Sequence, residues 1–301
     1  MFPVLFSIGK FSVSSFGVLL ALGFLEALFL VWRLSRAWDL DEEKTLDLTL
    51  LIFLGGLIGA RLIFAIEHWQ LFAPSLLQII LFTKFPGFSY GGSFLGALLT
   101  MYYFTKRFKM DFWQIADIAS VGLLGGLIWS SLGCFLGGCG IGIQSHAFFA
   151  VSMVGVLGKR FPVQLLEAFL FLLILQRVWS IATHFHQRGK IAGISLFCIG
   201  LTNILTSSLK QIHTTSLLFS ISLTICGAII FYRRTKRNPM TDLKNFLFFP
   251  VKIIIDSKVR ISVLASIKKT WYNQKTSISW KIRSLKKNLR RINVRISRKT
   301  N

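Results

Sequence analysis

Three polar side chains lie along one face of an apolar helix predicted to begin near residue 162. Arg160, Gln164 and Glu167 are separated by four and three residues, a spacing that places them on the same helical face. Pro162 suits the first turn of that helix, because its missing N–H would have no intrahelical partner there. Hydrocarbon strongly penalises such polar groups, so they must face a polar cavity or pair inside the protein. The segment therefore predicts a polar site at the edge of a lipid bilayer.

A second polar group, Arg61, follows small residues at positions 55, 56, 59 and 60. Small residues let another backbone approach closely, so this face is predicted to pack against a neighbouring helix. The planar guanidinium of Arg61 also suits a phosphate. The glycine-rich segment 87–93, which contains Tyr90, could bring backbone N–H groups to an anion. The residues alone leave helix packing and anion binding open for both segments.

The composition is that of an integral membrane protein, since the 301 residues are 53% hydrophobic and only 16% charged. Seven apolar runs are long enough to span a bilayer. They cover residues 13–32, 46–66, 89–104, 113–132, 163–181, 194–209 and 216–232. No cleavage site of small residues follows the first run, so it is predicted to be a retained helix.

The positive charges predict the orientation of these spans. Lys and Arg residues follow the first, third, fifth and seventh runs, whereas the alternate loops carry fewer. Because cytoplasmic loops are enriched in Lys and Arg, the N-terminus is predicted to lie outside and the C-terminus in the cytoplasm. Segment 71–88 is predicted to lie along the outer surface, and segment 133–158 to form a re-entrant or interfacial hairpin.

Titratable groups inside the predicted spans are candidates for function, because charges at that depth are rare. They include Glu26 and Asp117 as well as Arg61 and Glu167, and each could instead be paired within the protein. The four cysteines show no Cys-x-x-Cys spacing, so neither a zinc site nor a disulfide framework is indicated.

Four motifs resemble segments of the prolipoprotein diacylglyceryl transferase family. They are GGLIGARLIF at residues 55–64, GFSYGGSFLG at 87–96, GCFLGGCGIG at 133–142 and RFPVQLLE at 160–167. The resemblance implies a seven-helix, multi-pass enzyme of the plasma or inner membrane. Such an enzyme moves the diacylglyceryl group of phosphatidylglycerol to the thiol of a lipobox cysteine in a prolipoprotein, and glycerol phosphate leaves. No cofactor and no metal ion are expected.

The resemblance also implies roles for particular residues. The thiol must lose its proton, and the departing phosphate needs fixed positive charge. Arg61 or Arg160 would bind the phosphate, and Glu167 would orient an arginine or accept a proton. The implied catalytic residues are Glu167, Tyr90 and Arg160, and the implied substrate-binding residues are Arg61, Gln164, Gly133, Gly142 and Cys134.

Several positions depart from the family pattern. A tyrosine is replaced by Phe16 and a histidine by Tyr90, while other polar family residues fall on Ser131, Cys134, Cys139, Asn203 and Ser207. Lys210 is then the basic group left near the sixth span. Two interpretations follow: a divergent transferase with a rearranged site, which we favour, or a non-catalytic lipid- or lipoprotein-binding membrane protein on the same scaffold.

The C-terminal segment is strongly basic and is predicted to be separate from the membrane domain. Residues 1–232 form the predicted seven-helix domain, and residues 233–301 carry 20 Lys and Arg against two Asp, a net charge of +18. Apolar residues at 278, 282, 285, 289, 292 and 296 predict a basic amphipathic helix that binds an anionic cytoplasmic leaflet. A partly disordered tail is the second interpretation, and binding of nucleic acid is not expected.

Overall fold

The computed structural model describes residues 3–8, 11–72, 87–153, 155–210 and 214–242, together with single helical positions between 244 and 283. The chain divides into two compact units, Met1–Lys236 and Arg237–Asn301. The predicted surface segment 71–88 and the tail helix from residue 278 lie mostly outside the described residues. Both therefore stay predictions, as does the assignment of the second unit to the cytoplasm.

The described part of the first unit contains eight helices. They are α1 (Ser15–Ala37), α2 (Glu42–Glu67), the short α3 (Trp69–Phe72), α4 (Tyr90–Arg107), α5 (Phe112–Gly137), α6 (Val163–Ala182), α7 (Lys190–Ser207) and α8 (Thr214–Thr235). Ser14, Asp41 and Asp111 accept hydrogen bonds from free backbone N–H groups in the first turns of α1, α2 and α5.

Six helical segments within the described residues are long and apolar enough to cross a bilayer: α1, α2, α5, α6, α7 and Leu217–Thr235 of α8. They confirm a polytopic helical membrane protein. α4 coincides with the predicted third span but is not among the six. Its 18 residues include Lys106, Arg107 and three tyrosines, which lower its mean hydropathy. The seventh span and the orientation stay predictions.

Two short antiparallel hairpins accompany the helices. β1 (Val4–Ile8) pairs with β2 (Phe11–Ser14) directly before α1. β3 (Val151–Ser152) pairs with β4 (Lys159–Arg160) in the segment between α5 and α6. The turn between β3 and β4 contains Gly155 and Gly158 at φ of 79° and 85°, a region that favours glycine. These strands are an addition to the helices that the sequence predicted.

The small-residue face of α2 packs against the first half of α4, which confirms the packing prediction made from the sequence. A Cβ atom on Gly59 would lie 2.6 Å from the carbonyl oxygen of Gly92, and one on Gly96 would lie 2.3 Å from that of Gly55. Only glycine permits this approach of two backbones.

α5 is the central helix of the bundle, since it packs against α1, α6 and α7. Its residues Ile118, Val121 and Leu124 are fully buried in the largest hydrophobic cluster. The same cluster takes in Val31 from α1 and Phe171 from α6. The C-terminal end of α5 is consequently held in a fixed position between these helices.

Two of the titratable groups inside the spans have partners on neighbouring elements. Asp117 is fully buried and accepts hydrogen bonds from the backbone N–H groups of Gly189 at 2.6 Å and Ala192 at 2.7 Å, at the N-terminus of α7. Glu26 accepts a hydrogen bond from the indole N–H of Trp129. Asp117 therefore stabilises the start of α7, at the end of α5 opposite Cys134.

Candidate active site

A cavity of about 270 Å³ lies where the first turns of α4, α6 and α8 meet the C-terminal ends of α5 and α7. Its described wall combines one carboxylate, one ammonium group, two amides and several hydroxyls with apolar side chains. The described lining residues are Tyr90, Leu127, Ser130, Ser131, Cys134, Gly140, Gln164, Glu167, Phe171, Asn203, Ser207, Lys210, Leu217 and Ser220. The sequence left open whether Gln164 and Glu167 face a polar cavity or pair inside the protein; both line this cavity, and Glu167 is also paired.

An ion pair between Glu167 and Lys210 lies on the cavity wall. The Lys210 ammonium donates to Oε1 of Glu167, and the Thr206 hydroxyl donates to the same oxygen at 2.7 Å. Glu167 is only 6% exposed, and the Lys210 side chain is 24% exposed. Removal of two charges from water is unfavourable unless they are paired and hydrogen-bonded, and both conditions are met here.

Gln164 lies about one turn before Glu167 on α6 and is 1% exposed. Its Nε2 donates to the carbonyl oxygens of Cys139 at 2.7 Å and Gly140 at 2.9 Å. Two carbonyl acceptors define which end of the amide is nitrogen. Its Oε1 is buried and has no hydrogen-bond partner among the described residues, so an acceptor remains for a bound molecule.

Tyr90 is the first residue of α4 and brings a phenol to the cavity. Its ring packs edge-on against Phe219, with 5.4 Å between the ring centroids. Its hydroxyl interacts with the side chain of Asn203 on α7. Gln164, Tyr90 and Asn203 thus bring hydrogen-bonding groups from α6, α4 and α7 to the cavity, in addition to the serine hydroxyls.

Cys134 and Cys139 form a disulfide, so the prediction that no disulfide is present was wrong. Gly138 ends α5 at φ 80°, and the backbone N–H of Cys139 donates to the carbonyl oxygen of Cys134 at 3.0 Å. This turn brings the two Cα atoms to 4.7 Å, within the range that a disulfide spans. The paired glycines Gly137 and Gly138 were the sequence signal that could have found the turn, because a glycine in the left-handed region commonly ends a helix.

Of Arg61, Arg160 and Glu167, only Glu167 is among the described residues that line the cavity. Arg61 is 4% exposed, donates to the carbonyl oxygen of Gly87 at 3.0 Å and lies over the ring of Phe72. Arg160 lies in β4, with Nη2 at 3.5 Å from the carbonyl oxygen of Leu157. The buried Nε of Arg160 has no hydrogen-bond partner in the described ranges. A role for either arginine in binding substrate stays a prediction.

Gly133 and Gly142, which were predicted to bind substrate, pack closely against other parts of the chain. A Cβ atom on Gly133 would lie 3.2 Å from the ring of Phe16 on α1. One on Gly142 would lie 2.2 Å from the carbonyl oxygen of Phe161, so only glycine allows this crossing of chains. Neither glycine is among the described residues that line the cavity, so their roles in binding substrate stay predictions.

Lys210 is the residue that reasoning from the sequence left out of the site. The sequence places it only as a basic group near the sixth span, and its partner Glu167 is 43 residues away in the chain. The signal was present, because Lys210 is the only Asp, Glu, Lys or Arg residue between Lys190 and Arg233. A single cation in an apolar stretch of that length must have a partner in the protein or a ligand.

Residues 3–233 match the prolipoprotein diacylglyceryl transferase family. The chain belongs to this family. A relative from Deinococcus radiodurans, a phosphatidylglycerol–prolipoprotein diacylglyceryl transferase, is 33% identical over 142 residues, which are 46% of this chain and 42% of the relative. Proteins of the same name from Aliarcobacter butzleri and Listeria monocytogenes are 30% and 26% identical over 181 and 255 residues. These alignments cover 56% and 79% of this chain and 65% and 91% of the relatives.

The first two of these alignments cover less than two thirds of the relatives' own length, whereas the Listeria alignment spans nearly all of that protein. The family match includes every described residue of the cavity wall. Within the part of the chain that matches the diacylglyceryl transferase family, a cation, a carboxylate and hydrogen-bonding groups line one polar cavity. Among the described residues, no group of three His, Cys, Asp or Glu side chains is suited to hold a metal ion.

Proposed function

We propose that this protein transfers the diacylglyceryl group of phosphatidylglycerol to the thiol of the lipobox cysteine in prolipoproteins. The observation that carries the proposal is the ion pair of the buried Glu167 with the part-buried Lys210 on the wall of a polar cavity, in a chain of the transferase family. The reaction forms a bond between the cysteine sulfur and the terminal carbon of the diacylglyceryl group. It breaks the bond between that carbon and a phosphate oxygen, and glycerol phosphate leaves with the electron pair.

Lys210 is the proposed ligand of the departing phosphate, because it supplies the positive charge among the described lining residues. Fixed positive charge stabilises the negative charge that develops on a leaving oxygen. The carboxylate of Glu167 holds the ammonium group in place. Lys210 and Thr206 both donate to Oε1 of Glu167, so Oε2 is the proposed acceptor of the thiol proton.

The remaining predicted site residues take supporting roles in this proposal. The free acceptor Oε1 of Gln164 binds a donor of the substrate, and the Tyr90 hydroxyl donates to the lipid head group. Arg160 binds the head group outside the cavity wall, which its Nε supports because it has no hydrogen-bond partner among the described residues. Arg61 holds Gly87, the residue that begins the segment leading into Tyr90, and stays a proposed phosphate ligand.

We also propose that α4 is a seventh span and that the cavity end faces the outside of the plasma or inner membrane. The positive charges of the loops support this orientation. The Cys134–Cys139 disulfide at the cavity end supports it independently, because disulfides persist in oxidising compartments outside the cytoplasm. In intact cells, a membrane-impermeant maleimide should then label Ser145→Cys and not Lys109→Cys, in a background with Cys198 and Cys226 replaced by Ser.

A transfer assay with purified protein tests the activity. Phosphatidylglycerol in mixed micelles and a lipobox peptide should give a diacylglyceryl peptide, detected by its mass. Glu167→Gln should lower the rate by roughly 10²–10³-fold, as the loss of a group that acts in the transition state does. Glu43→Gln, the same chemical change at an exposed position of α2 away from the cavity, should leave the rate unchanged. If the unaltered protein binds anionic lipids without transfer to the peptide, the non-catalytic interpretation replaces this one.

A further inference from the structure

The turn after α5 is closed by a disulfide that borders the cavity. Cys134 lines the cavity, and Cys139 is exposed at its edge. The turn between them contains Gly138 in the left-handed region and is tied back to α5 by the hydrogen bond from Cys139 to Cys134. A covalent bridge removes the freedom of this turn to open.

The carbonyl groups of the same turn orient Gln164. The carbonyl oxygens of Cys139 and Gly140 both accept from Nε2 of Gln164, at 2.7 Å and 2.9 Å. The two bonds prevent the amide from rotating and leave its Oε1 as a buried acceptor without a partner in the described part of the chain. A shift of either carbonyl would therefore change where Gln164 presents this acceptor.

The segment that leaves the disulfide also holds the C-terminal end of α7. Gly142 and Lys210 form an antiparallel bridge, and the backbone N–H of Ile143 donates to the carbonyl oxygen of Leu209 at 3.0 Å. The backbone at Lys210 is thereby tied to the chain that begins at Cys139. The position of the ammonium group that pairs with Glu167 depends on this tie.

We propose that the Cys134–Cys139 disulfide is a positioning element of the transfer site and that the transfer rate depends on its oxidation state. The inference rests on the proposed function. Reduction by a phosphine takes two electrons and two protons: the S–S bond breaks, both sulfurs become thiols, and the phosphine is oxidised to its oxide with oxygen from water. The opened turn no longer fixes Gln164 and Lys210, and the cavity loses its arrangement while the helices persist.

The first test compares two matched double variants in the transfer assay. Cys134→Ser/Cys139→Ser removes the disulfide, and Cys198→Ser/Cys226→Ser replaces the two free cysteines of the described chain, in α7 and α8. The first variant should lose roughly ten- to a hundredfold in kcat/KM per folded molecule, since displacements of about 1 Å in a site have effects of that size. The second should transfer at the normal rate.

The second test uses the unaltered chain, so it stands even if the Ser variant folds poorly. A phosphine reductant should lower kcat/KM by the same factor, and reoxidation with diamide should restore it. The Cys134→Ser/Cys139→Ser variant should not respond to either reagent. If the disulfide only stabilised the fold, its reduction would lower the melting temperature and leave kcat and KM of the folded protein unchanged.

A third measurement asks whether the disulfide acts through Gln164. In a Gln164→Ala background, loss of the disulfide should reduce the rate by a smaller factor than in the unaltered chain, because the part of the effect that acts through Gln164 is already lost and only the part that acts through Lys210 remains. Equal transfer by the oxidised and reduced protein would overturn the inference and leave the proposed function intact. No transfer in either state would count against the proposed function itself, and reduction that changes only the melting temperature would assign the disulfide to stability alone.

Discussion

The Glu167–Lys210 pair allows stability and catalysis to be separated with three variants. Lys210→Met removes the ammonium group and keeps a flexible side chain of similar length. Glu167 is then left 6% exposed, with the Thr206 hydroxyl as its remaining partner among the described contacts. Glu167→Gln leaves the lysine without its counter-charge in the same way. The double variant Glu167→Gln/Lys210→Met removes both charges.

The magnitudes follow from the burial of the two groups. Removal of one partner of a buried ion pair lowers the free energy of unfolding by about 3–5 kcal/mol. The Lys210 side chain is 24% exposed to the cavity, so the lower end, about 3 kcal/mol, applies to each single variant. At 2–4 °C per kcal/mol, this corresponds to a decrease in Tm of roughly 6–12 °C. The Tm of the double variant should be close to that of the unaltered protein, because no uncompensated charge remains.

Transfer should not follow stability in this series. All three variants should lose roughly 10²–10³-fold in rate if Lys210 binds the leaving phosphate and Glu167 acts on the thiol. Tm is measured by thermal unfolding in detergent, and the rate by the mass of the lipidated peptide at a temperature where every variant is folded. Lys210→Met with a rate within twofold of normal would refute the role of the ammonium group. A double variant no more stable than the single ones would refute the assumed burial of the charges.

Three further predictions concern other parts of the chain. Gly96→Leu should prevent α2 and α4 from packing and abolish recovery of folded protein in detergent, whereas Gly126→Leu, where a Cβ meets nothing within 4 Å, should be recovered normally. Asp117→Ala should lower the free energy of unfolding by about 2–4 kcal/mol, because two buried N–H groups lose their acceptor. Asp117→Asn keeps one acceptor oxygen and should lower it less. Equal Tm values for the two variants would contradict this role of Asp117. If the tail binds the anionic leaflet, replacement of the basic residues at 281, 283, 286, 287, 290 and 291 by Gln should speed its proteolysis in nanodiscs of anionic lipid. Equal rates of proteolysis of the unaltered protein in anionic and zwitterionic nanodiscs would contradict leaflet binding.

Local sequence properties were sufficient for the helices and for the family. Apolar runs predict helices in a bilayer because each backbone group must be satisfied within its own segment, and the seven predicted runs all coincide with helices. The small residues around Gly59 predicted close helix packing for the same local reason, since the absence of side chains on one face can be seen in the sequence. The spacing of Gln164 and Glu167 likewise predicted that both would face a polar region.

The tertiary structure alone decided which polar groups meet. The sequence grouped Arg61 and Arg160 with Glu167, yet the carboxylate is paired with Lys210, and neither arginine is among the described residues of the cavity wall. The disulfide was missed because the pairing of Cys134 with Cys139 depends on a left-handed turn at Gly138 rather than on a spacing rule. Periodicity specifies the face of a helix on which a side chain lies, whereas its partner depends on how the helices pack and where their connecting segments lead. The sequence therefore determined the helices, the small-residue face and the family, and the packing of α5, α6 and α7 decided the site.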